Sequence, residues 1–274
     1  MSNQIENTKD VMRTGPDQPK PVLTISLVIP CRNEEGGLRA TIVEIERTLT
    51  VNQIPHEILV INDHSTDDSK RVLEELAAEY STFRWMENQK EPGFGHAIQT
   101  GLAHFTGDAV CIMMADASDD AADVAKYYHL LLEGHECVFG SRFSRGSQIQ
   151  GYPKHKLALN RLANWFIMLL FGFKYNDTTN AFKCYRRHVI EGLQPILSAH
   201  FNLTVELPLK AIVRGYSYTV VPINWYGRAT GVSKLTIKEM GSRYLFIVLY
   251  IFLERLLSRG DYYRDTVLEH ERKK

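Results

Sequence analysis

Apolar and polar residues along this chain switch between two periods, and the switching itself predicts an architecture. Leu23, Ile25, Leu27 and Ile29 alternate with Thr24, Ser26 and Val28, and this β-branched, apolar run predicts a strand over 23–29 that Pro30 stops. Residues 36–49 carry Leu38, Ile42, Ile45 and Leu49 at helical spacing. The same alternation repeats: a strand over 57–61, an amphipathic helix over 67–80, a weak strand over 83–86 and a helix over 95–105. A strand over 109–114, a helix over 121–132 and a strand over 137–140 complete the run. Strand and helix in strict alternation predict an α/β fold, a mostly parallel central sheet with helices on both faces.

Past Gly140 the rhythm changes. A basic loop covers 141–156, an apolar segment 157–173, and a mixed stretch reaches Gly215. A strand is predicted over 218–223, then a second basic loop with Arg228 and Lys234, and a last helix over 237–258. The simplest division is a disordered arm over 1–22 and one α/β domain over 23–235. Its nucleotide-binding half covers about 23–140 and its acceptor half about 141–235. An amphipathic membrane-associated helix over 236–259 and a charged tail over 260–274 follow. The arm is polar and proline-bearing, without the apolar core of a signal peptide.

Charge and cysteine usage narrow the function. Lys+Arg and Asp+Glu are each 32, so no global charge favours nucleic acid. Cys31, Cys111, Cys137 and Cys184 form no CxxC pair, and Cys111 and Cys137 lie in apolar runs; buried free thiols in a reducing cytoplasm are expected. No run reaches the ~18–20 apolar residues of a bilayer span. Two shorter runs, 162–173 and 244–253, combine aromatics with flanking cations. They fit either buried core helices or helices lying in a membrane surface.

The chemistry gathers at strand ends. The run 109–114 breaks off into Asp116, Asp119 and Asp120, and the run 57–61 into Asn62 and Asp63. Open α/β sheets bind ligands at the carboxyl ends of their strands, and clustered carboxylates there suit a hard divalent cation. Together they suggest one site for a nucleotide whose diphosphate is met by a metal. Gly93-Phe94-Gly95 lies too far along the chain for a dinucleotide fingerprint, and position 98 is Ile, which argues against a dehydrogenase. A backbone passing close to a nucleotide accounts for these glycines.

These motifs carry a resemblance. Val28-Ile29-Pro30-Cys31-Arg32-Asn33-Glu34-Glu35, Val60-Ile61-Asn62-Asp63-His64-Ser65-Thr66-Asp67, Gly93-Phe94-Gly95-His96-Ala97, Asp116 in its acidic cluster, Gly140-Ser141-Arg142-Phe143, Asp177-Thr178-Thr179-Asn180-Ala181-Phe182-Lys183 and Arg228-Ala229-Thr230-Gly231-Val232-Ser233-Lys234 occur in order. The chain thus resembles a family 2 glycosyltransferase with a GT-A nucleotide-diphospho-sugar transferase fold, closest to the dolichol- or polyprenol-phosphate sugar synthases. The likeness covers about residues 24–253 and adds C-terminal amphipathic, interfacial helices to the fold.

The resemblance implies an inverting transfer of a hexosyl unit from a GDP- or UDP-linked sugar to a polyprenyl or dolichyl phosphate. The enzyme would sit at the cytoplasmic membrane face, peripheral or monotopic, with homo-oligomerisation left open. Pro30, Arg32, Glu34, Asp63, Gly93, Gly95, Ala115 and Asp116 would bind the donor nucleotide, and Arg228 and Lys234 would close over its diphosphate. Asp116, Glu206 and Asp177 are the implied catalytic residues, and Arg142 and Lys156 the implied cations for the acceptor phosphate. The cofactor would be Mg²⁺ or Mn²⁺. The family's Asp-x-Asp pair is here Met114-Ala115-Asp116, and a thioether is a poor ligand for these ions. Asp116 with Ser118 or Asp119 is the remaining oxygen set.

Two other readings stay open. The acceptor could be a hydroxyl of a glycolipid or polysaccharide precursor, with Glu206 as general base. A catalytically silent nucleotide-sugar-binding or membrane-scaffold protein would also account for Met114 and the apolar helices.

Overall fold

The computed structural model describes residues 22–227 and 237–264. Expectations for the arm up to residue 21, for Arg228 and Lys234, and for the tail beyond 264 lie outside the described residues. The first half repeats one unit. β1 (Ile25–Cys31) leads to α1 (Leu38–Val51), β2 (His56–Asn62) to α2 (Ser69–Glu79), β3 (Phe83–Glu87) to α3 (Phe94–His104), and β4 (Ala109–Ile112) to α4 (Ala121–Leu132). β5 (Cys137–Ser141) and the short β6 (Ile149–Gln150) precede a long helix, α5 (Lys154–Phe171). Then come β7 (Lys183–Arg186), α6 (Arg187–Gly192), α7 (Leu203–Val213), β8 (Tyr218–Pro222), β9 (Trp225–Tyr226) and α8 (Ile237–Leu257).

Seven strands form one sheet in the order β3-β2-β1-β4-β7-β5-β8, and β6 pairs with β9 apart from it. All pairings in the large sheet are parallel except those of β7, which runs antiparallel to both β4 and β5. Every residue of β1 is buried, because helices cover both faces. On one face α1, α2 and α4 contribute Leu38, Ile42, Leu73, Val124 and Leu131 to a core. On the other, α3, α6 and α7 contribute Ile98, Val189 and Leu203. A third cluster joins Ile167 and Phe171 of α5, Val205 and Leu209 of α7, and Ile247, Val248 and Ile251 of α8.

Three departures from the sequence reading have physical causes. Pro30 does not stop β1, which runs on to Cys31. Val28 and Cys31 accept from Met113 and Asp63 N–H respectively, so the backbone of Pro30 is turned to the β4 side. β4 has ended there, at the register of Val28, and no ladder bond is lost. The mixed stretch contains β7 and α7. Because α7 touches two cores, residues Leu203–Ala211 are all buried, and no polar face marked it as amphipathic. Finally, β7 enters the sheet between β4 and β5 and runs antiparallel to both, which the strand–helix alternation did not predict.

The four cysteines are free and buried, as their apolar runs implied. No described helix is long and apolar enough to cross a membrane.

Candidate active site

The carboxyl ends of β1, β2, β4 and β5 open into one cavity of about 810 Å³, roofed by α5 and α8. The loops after β1 and β2 are bound to each other. Asn33, at φ +54°, donates its N–H to the Ser65 hydroxyl (3.0 Å) and accepts from Thr66 N–H (2.7 Å). Glu34 N–H reaches the Ser69 hydroxyl (2.9 Å), and the Glu35 carboxylate accepts from Asp68 N–H (2.7 Å). This pairing sets Pro30, Arg32 and Glu34 along the cavity wall. Asp67 serves the turn, accepting from Ser69 N–H at 3.0 Å and from Glu35 N–H at 3.2 Å.

Asp63 also lines the cavity and is almost fully buried. Its oxygens each lie 3.0 Å from Gly93 N–H, and Oδ1 accepts from Asn88 Nδ2 at 2.7 Å, while Arg32 Nη1 stands 3.7 Å from Oδ2. Asp63 therefore holds the loop that brings Gly93 to the wall. The glycines have a different cause from the one expected. A Cβ on Gly93 would lie 2.6 Å from the Ala199 carbonyl, and one on Gly95 would lie 2.2 Å from the Ser198 carbonyl. Both give way to the chain's own 198–200 backbone; Gly95 faces that segment and Gly93 alone of the two lines the cavity.

After β4 the chain folds tightly on itself. Asp116 accepts from Ser118 N–H (3.1 Å), Asp119 accepts from Met114 N–H (3.0 Å), and Ala117 takes φ +56°. Met114, Asp116, Ser118 and Asp119 all line the cavity. Ala115 does not: its side chain is in the core and its carbonyl accepts from the Thr41 hydroxyl at 3.0 Å. Burial, reinforced by the charge of Asp116, pushes the Asp119 carboxyl up to about 7.

Two of the three implied catalytic residues are turned away from the cavity. Asp177 is fully buried, and Arg142 encloses it with Nε (2.9 Å), Nη2 (2.7 Å) and its backbone N–H (2.8 Å). Arg142 itself lines the cavity; its Nη1 carries no hydrogen bond among the described residues and is the nitrogen available to a ligand. Glu206 is likewise fully buried, accepting from Leu197 N–H (2.8 Å), Ser198 N–H (2.7 Å) and Lys210 Nζ (2.6 Å). With three donors on it, Glu206 fastens the 197–198 loop to α7, and neither it nor Asp177 lines the cavity.

Lys156, in the first turn of α5, lines the cavity with Asn160, Ala163 and Ile167, a stripe at helical spacing. Sequence reasoning missed Tyr152, Asn160, Thr179, Asn180, His200 and Arg243, which also line it. The stripe running from Lys156 was a signal that pointed to Asn160. His200 and Arg243 had none, since each arrives from a segment with no strand end of its own. At the far end the cavity becomes apolar, lined by Phe166, Ile167, Leu245 and Val248; Leu159, Phe166 and Leu245 both line it and are exposed, and Leu162, Trp165 and Leu169 on α5 and Phe246, Leu249 and Leu253 on α8 are exposed too.

A mostly parallel sheet with one antiparallel insertion, and with carboxylates at the strand ends under an apolar roof, defines a GT-A-type glycosyltransferase. The chain belongs to glycosyl transferase family 2, whose description matches residues 26–193. It is similar to the polyprenol monophosphomannose synthase of Mycolicibacterium smegmatis, 28% identical over 79% of this chain and 83% of that protein. It is also 28% identical to the dolichol-phosphate mannosyltransferase of Pyrococcus furiosus, over 78% of this chain but only 59% of that longer protein. Among solved structures, glucosyl-3-phosphoglycerate synthase from Mycobacterium tuberculosis, in complex with Mn²⁺, UDP and phosphoglyceric acid, shares the fold. Its TM-score is 0.62, at 22% identity over 85% of this chain and 78% of the other.

Proposed function

We propose that this glycosyltransferase moves a hexosyl unit from a GDP- or UDP-linked sugar to a polyprenyl phosphate, with inversion, at the cytoplasmic face of a membrane. The observation that carries the reading is the continuity of one cavity from charged strand ends to an exposed apolar helix face. A lipid phosphate needs both environments at once. The two mannosyl transfer relatives support the same acceptor class and favour mannose as the sugar.

The donor end is anionic, with Asp63, Asp116 and Asp119 on its wall. No group of three His, Cys, Asp or Glu side chains able to hold a metal occurs among the described residues. Mg²⁺ and Mn²⁺ do not require one, because such ions take one or two carboxylates and complete their shell with substrate phosphates and water. Asp116, Ser118 and Asp119 fit that role; when bound, the ion would neutralise the diphosphate and ease its departure. Asp63 orders the loop facing the nucleoside, with Arg32 and Glu34 beside it. Arg228 and Lys234 are proposed as further cations for the leaving diphosphate.

At the acceptor end a monoalkyl phosphate, with its second pKa near ~6, is already a nucleophile at neutral pH. One of its oxygens attacks the anomeric carbon; the new C–O bond forms as the bond to the diphosphate oxygen breaks, and no proton needs removing. Arg142, locked by Asp177, and Lys156 orient that phosphate. The saturation of Glu206 agrees with a reaction that uses no base there.

The test compares Arg142→Ala with Glu206→Gln on a polyprenyl phosphate and on a glycolipid acceptor. Arg142→Ala should raise the KM for polyprenyl phosphate at least about tenfold, the loss of a charge-assisted contact, with donor KM nearly unchanged. Glu206→Gln should cost far less than the ~10²–10⁴-fold of a lost general base. The reverse ranking, with transfer to the glycolipid, would establish a hydroxyl acceptor. No transfer from any nucleotide sugar to either acceptor would sink the reading.

A further inference from the structure

Asn164 is buried in the middle of α5, on a helix whose outer side is apolar and exposed. A neutral amide in that place is unfavourable unless its bonds are met, and all are. Its Oδ1 accepts from Thr178 N–H (2.6 Å) and from the Thr178 hydroxyl (2.7 Å). Its Nδ2 faces the Asn160 carbonyl (2.9 Å), Asn160 Oδ1 (2.7 Å) and the Thr179 hydroxyl (3.2 Å). The Thr178 N–H can only donate, which fixes the orientation of the amide.

The bonds close a ring. Thr178 follows Asp177, the carboxylate that clamps Arg142; Thr179 Oγ1 accepts from Arg142 Nη2 at 3.4 Å and donates to Asn160 Oδ1 at 3.0 Å. One amide thus ties the lipid-facing helix to the loop that aims the guanidinium, and it also orients Asn160 on the cavity wall. We infer that Asn164 is a positioning residue for the acceptor phosphate: through Thr178, Thr179 and Asp177 it holds Arg142 in register with Lys156 and Asn160 on α5. The inference rests on the proposed lipid-phosphate acceptor. Its consequence is that grip on the phosphate depends on how α5 is seated, whereas the donor end, built from β1, β2 and β4, does not.

The experiment measures steady-state transfer and calorimetric binding of a short-chain polyprenyl phosphate and of nucleoside diphosphate. It uses the wild type, Asn164→Leu, which has similar volume and no polar bonds, and Asn164→Asp, which keeps an oxygen for Thr178. Asn164→Leu should weaken prenyl phosphate binding and raise its KM by about tenfold, the scale of losing one or two polar contacts. Nucleotide affinity and kcat should change less than about threefold. Asn164→Asp should recover part of the acceptor affinity. If Asn164→Leu does not fold, Thr178→Val, which removes one bond and leaves the backbone bond, should raise acceptor KM alone by a few-fold. Equal losses in donor and acceptor parameters, or none in either, would overturn the inference. A wild type that neither binds nor glycosylates prenyl phosphate would overturn the acceptor assignment and this inference with it. A wild type that does both, matched by Asn164→Leu, would overturn this inference alone.

Discussion

Four side chains from one tight loop, Met114, Asp116, Ser118 and Asp119, line the end of the cavity proposed to hold the donor. Where the family pattern has an acid, Met114 places a thioether on the wall. Asp119, nearby and buried, is the carboxylate that burial and Asp116 make reluctant to ionise alone. A divalent cation would reverse that reluctance, since it favours the charged form. Asp116→Ala should therefore cut transfer by more than the ~10–100-fold typical of losing a supporting group around a metal. Removal of divalent ions should impair the wild type in parallel. Met114→Asp should tighten Mn²⁺ in calorimetry with nucleoside diphosphate. Full activity of Asp116→Ala in excess chelator would remove Asp116 from the mechanism. At this scale the strand-end acids Asp63 and Asp116 were legible in the sequence, because a run of buried apolar residues must end where the sheet ends. What the sequence did not show was direction: Ala115, Gly95 and Asp177 are each turned to a partner distant in the chain, and Glu206 to Lys210 one turn along its own helix.

Helices α5 and α8 carry two kinds of apolar residue that look alike in the sequence. Phe246 is 63% exposed, whereas its neighbour Ile247 is wholly buried against α5 and α7. Charge placed on the first meets water or lipid headgroups; charge placed on the second is desolvated. Phe246→Glu with Leu249→Glu should release the protein from anionic liposomes while changing stability by no more than about 0.5 kcal/mol each, as is usual for exposed positions. Ile247→Glu should lower stability by several kcal/mol, the cost of an unpaired buried charge. Flotation with liposomes and urea melts separate the two effects. Wild-type protein indifferent to lipid would count against a membrane acceptor. The sequence left these runs between core and interface, and each helix has a buried apolar side and an exposed apolar side. Periodicity could not divide the sides, because both are apolar.

At the scale of the whole molecule, contacts distant in sequence close the fold at the end of the sheet away from the active site. Glu136, just before β5, accepts from Ser217 N–H (2.8 Å) and its hydroxyl (2.7 Å), approaches His188 Nε2 at 3.1 Å and pairs with Arg264. Burial works against its charge, but these hydrogen bonds and the Arg264 charge outweigh it and hold the carboxyl down at about 2, against an ordinary 4.5. Because the folded value is the depressed one, the stabilisation is fully present above about 4.5 and is lost as pH falls toward about 2. The stability gap between the wild type and Glu136→Gln, read from urea midpoints, should be wide at pH 6 and should narrow steadily below about 4.5. A gap independent of pH would show that the carboxylate's charge contributes nothing.

Sequence by itself determined the parallel strand–helix framework and the acidic strand ends that line the cavity. Strands covered on both faces must be continuously apolar, and helices covered on one face must repeat every three to four residues. Tertiary structure alone decided the antiparallel insertion of β7, the burial of α7 between two cores and the enclosure of Asp177 by Arg142. It also joined the charged strand ends to an apolar mouth between α5 and α8. Each of these depends on groups far apart in the chain meeting in space, and a local pattern carries no record of which distant donor will satisfy a buried carboxylate.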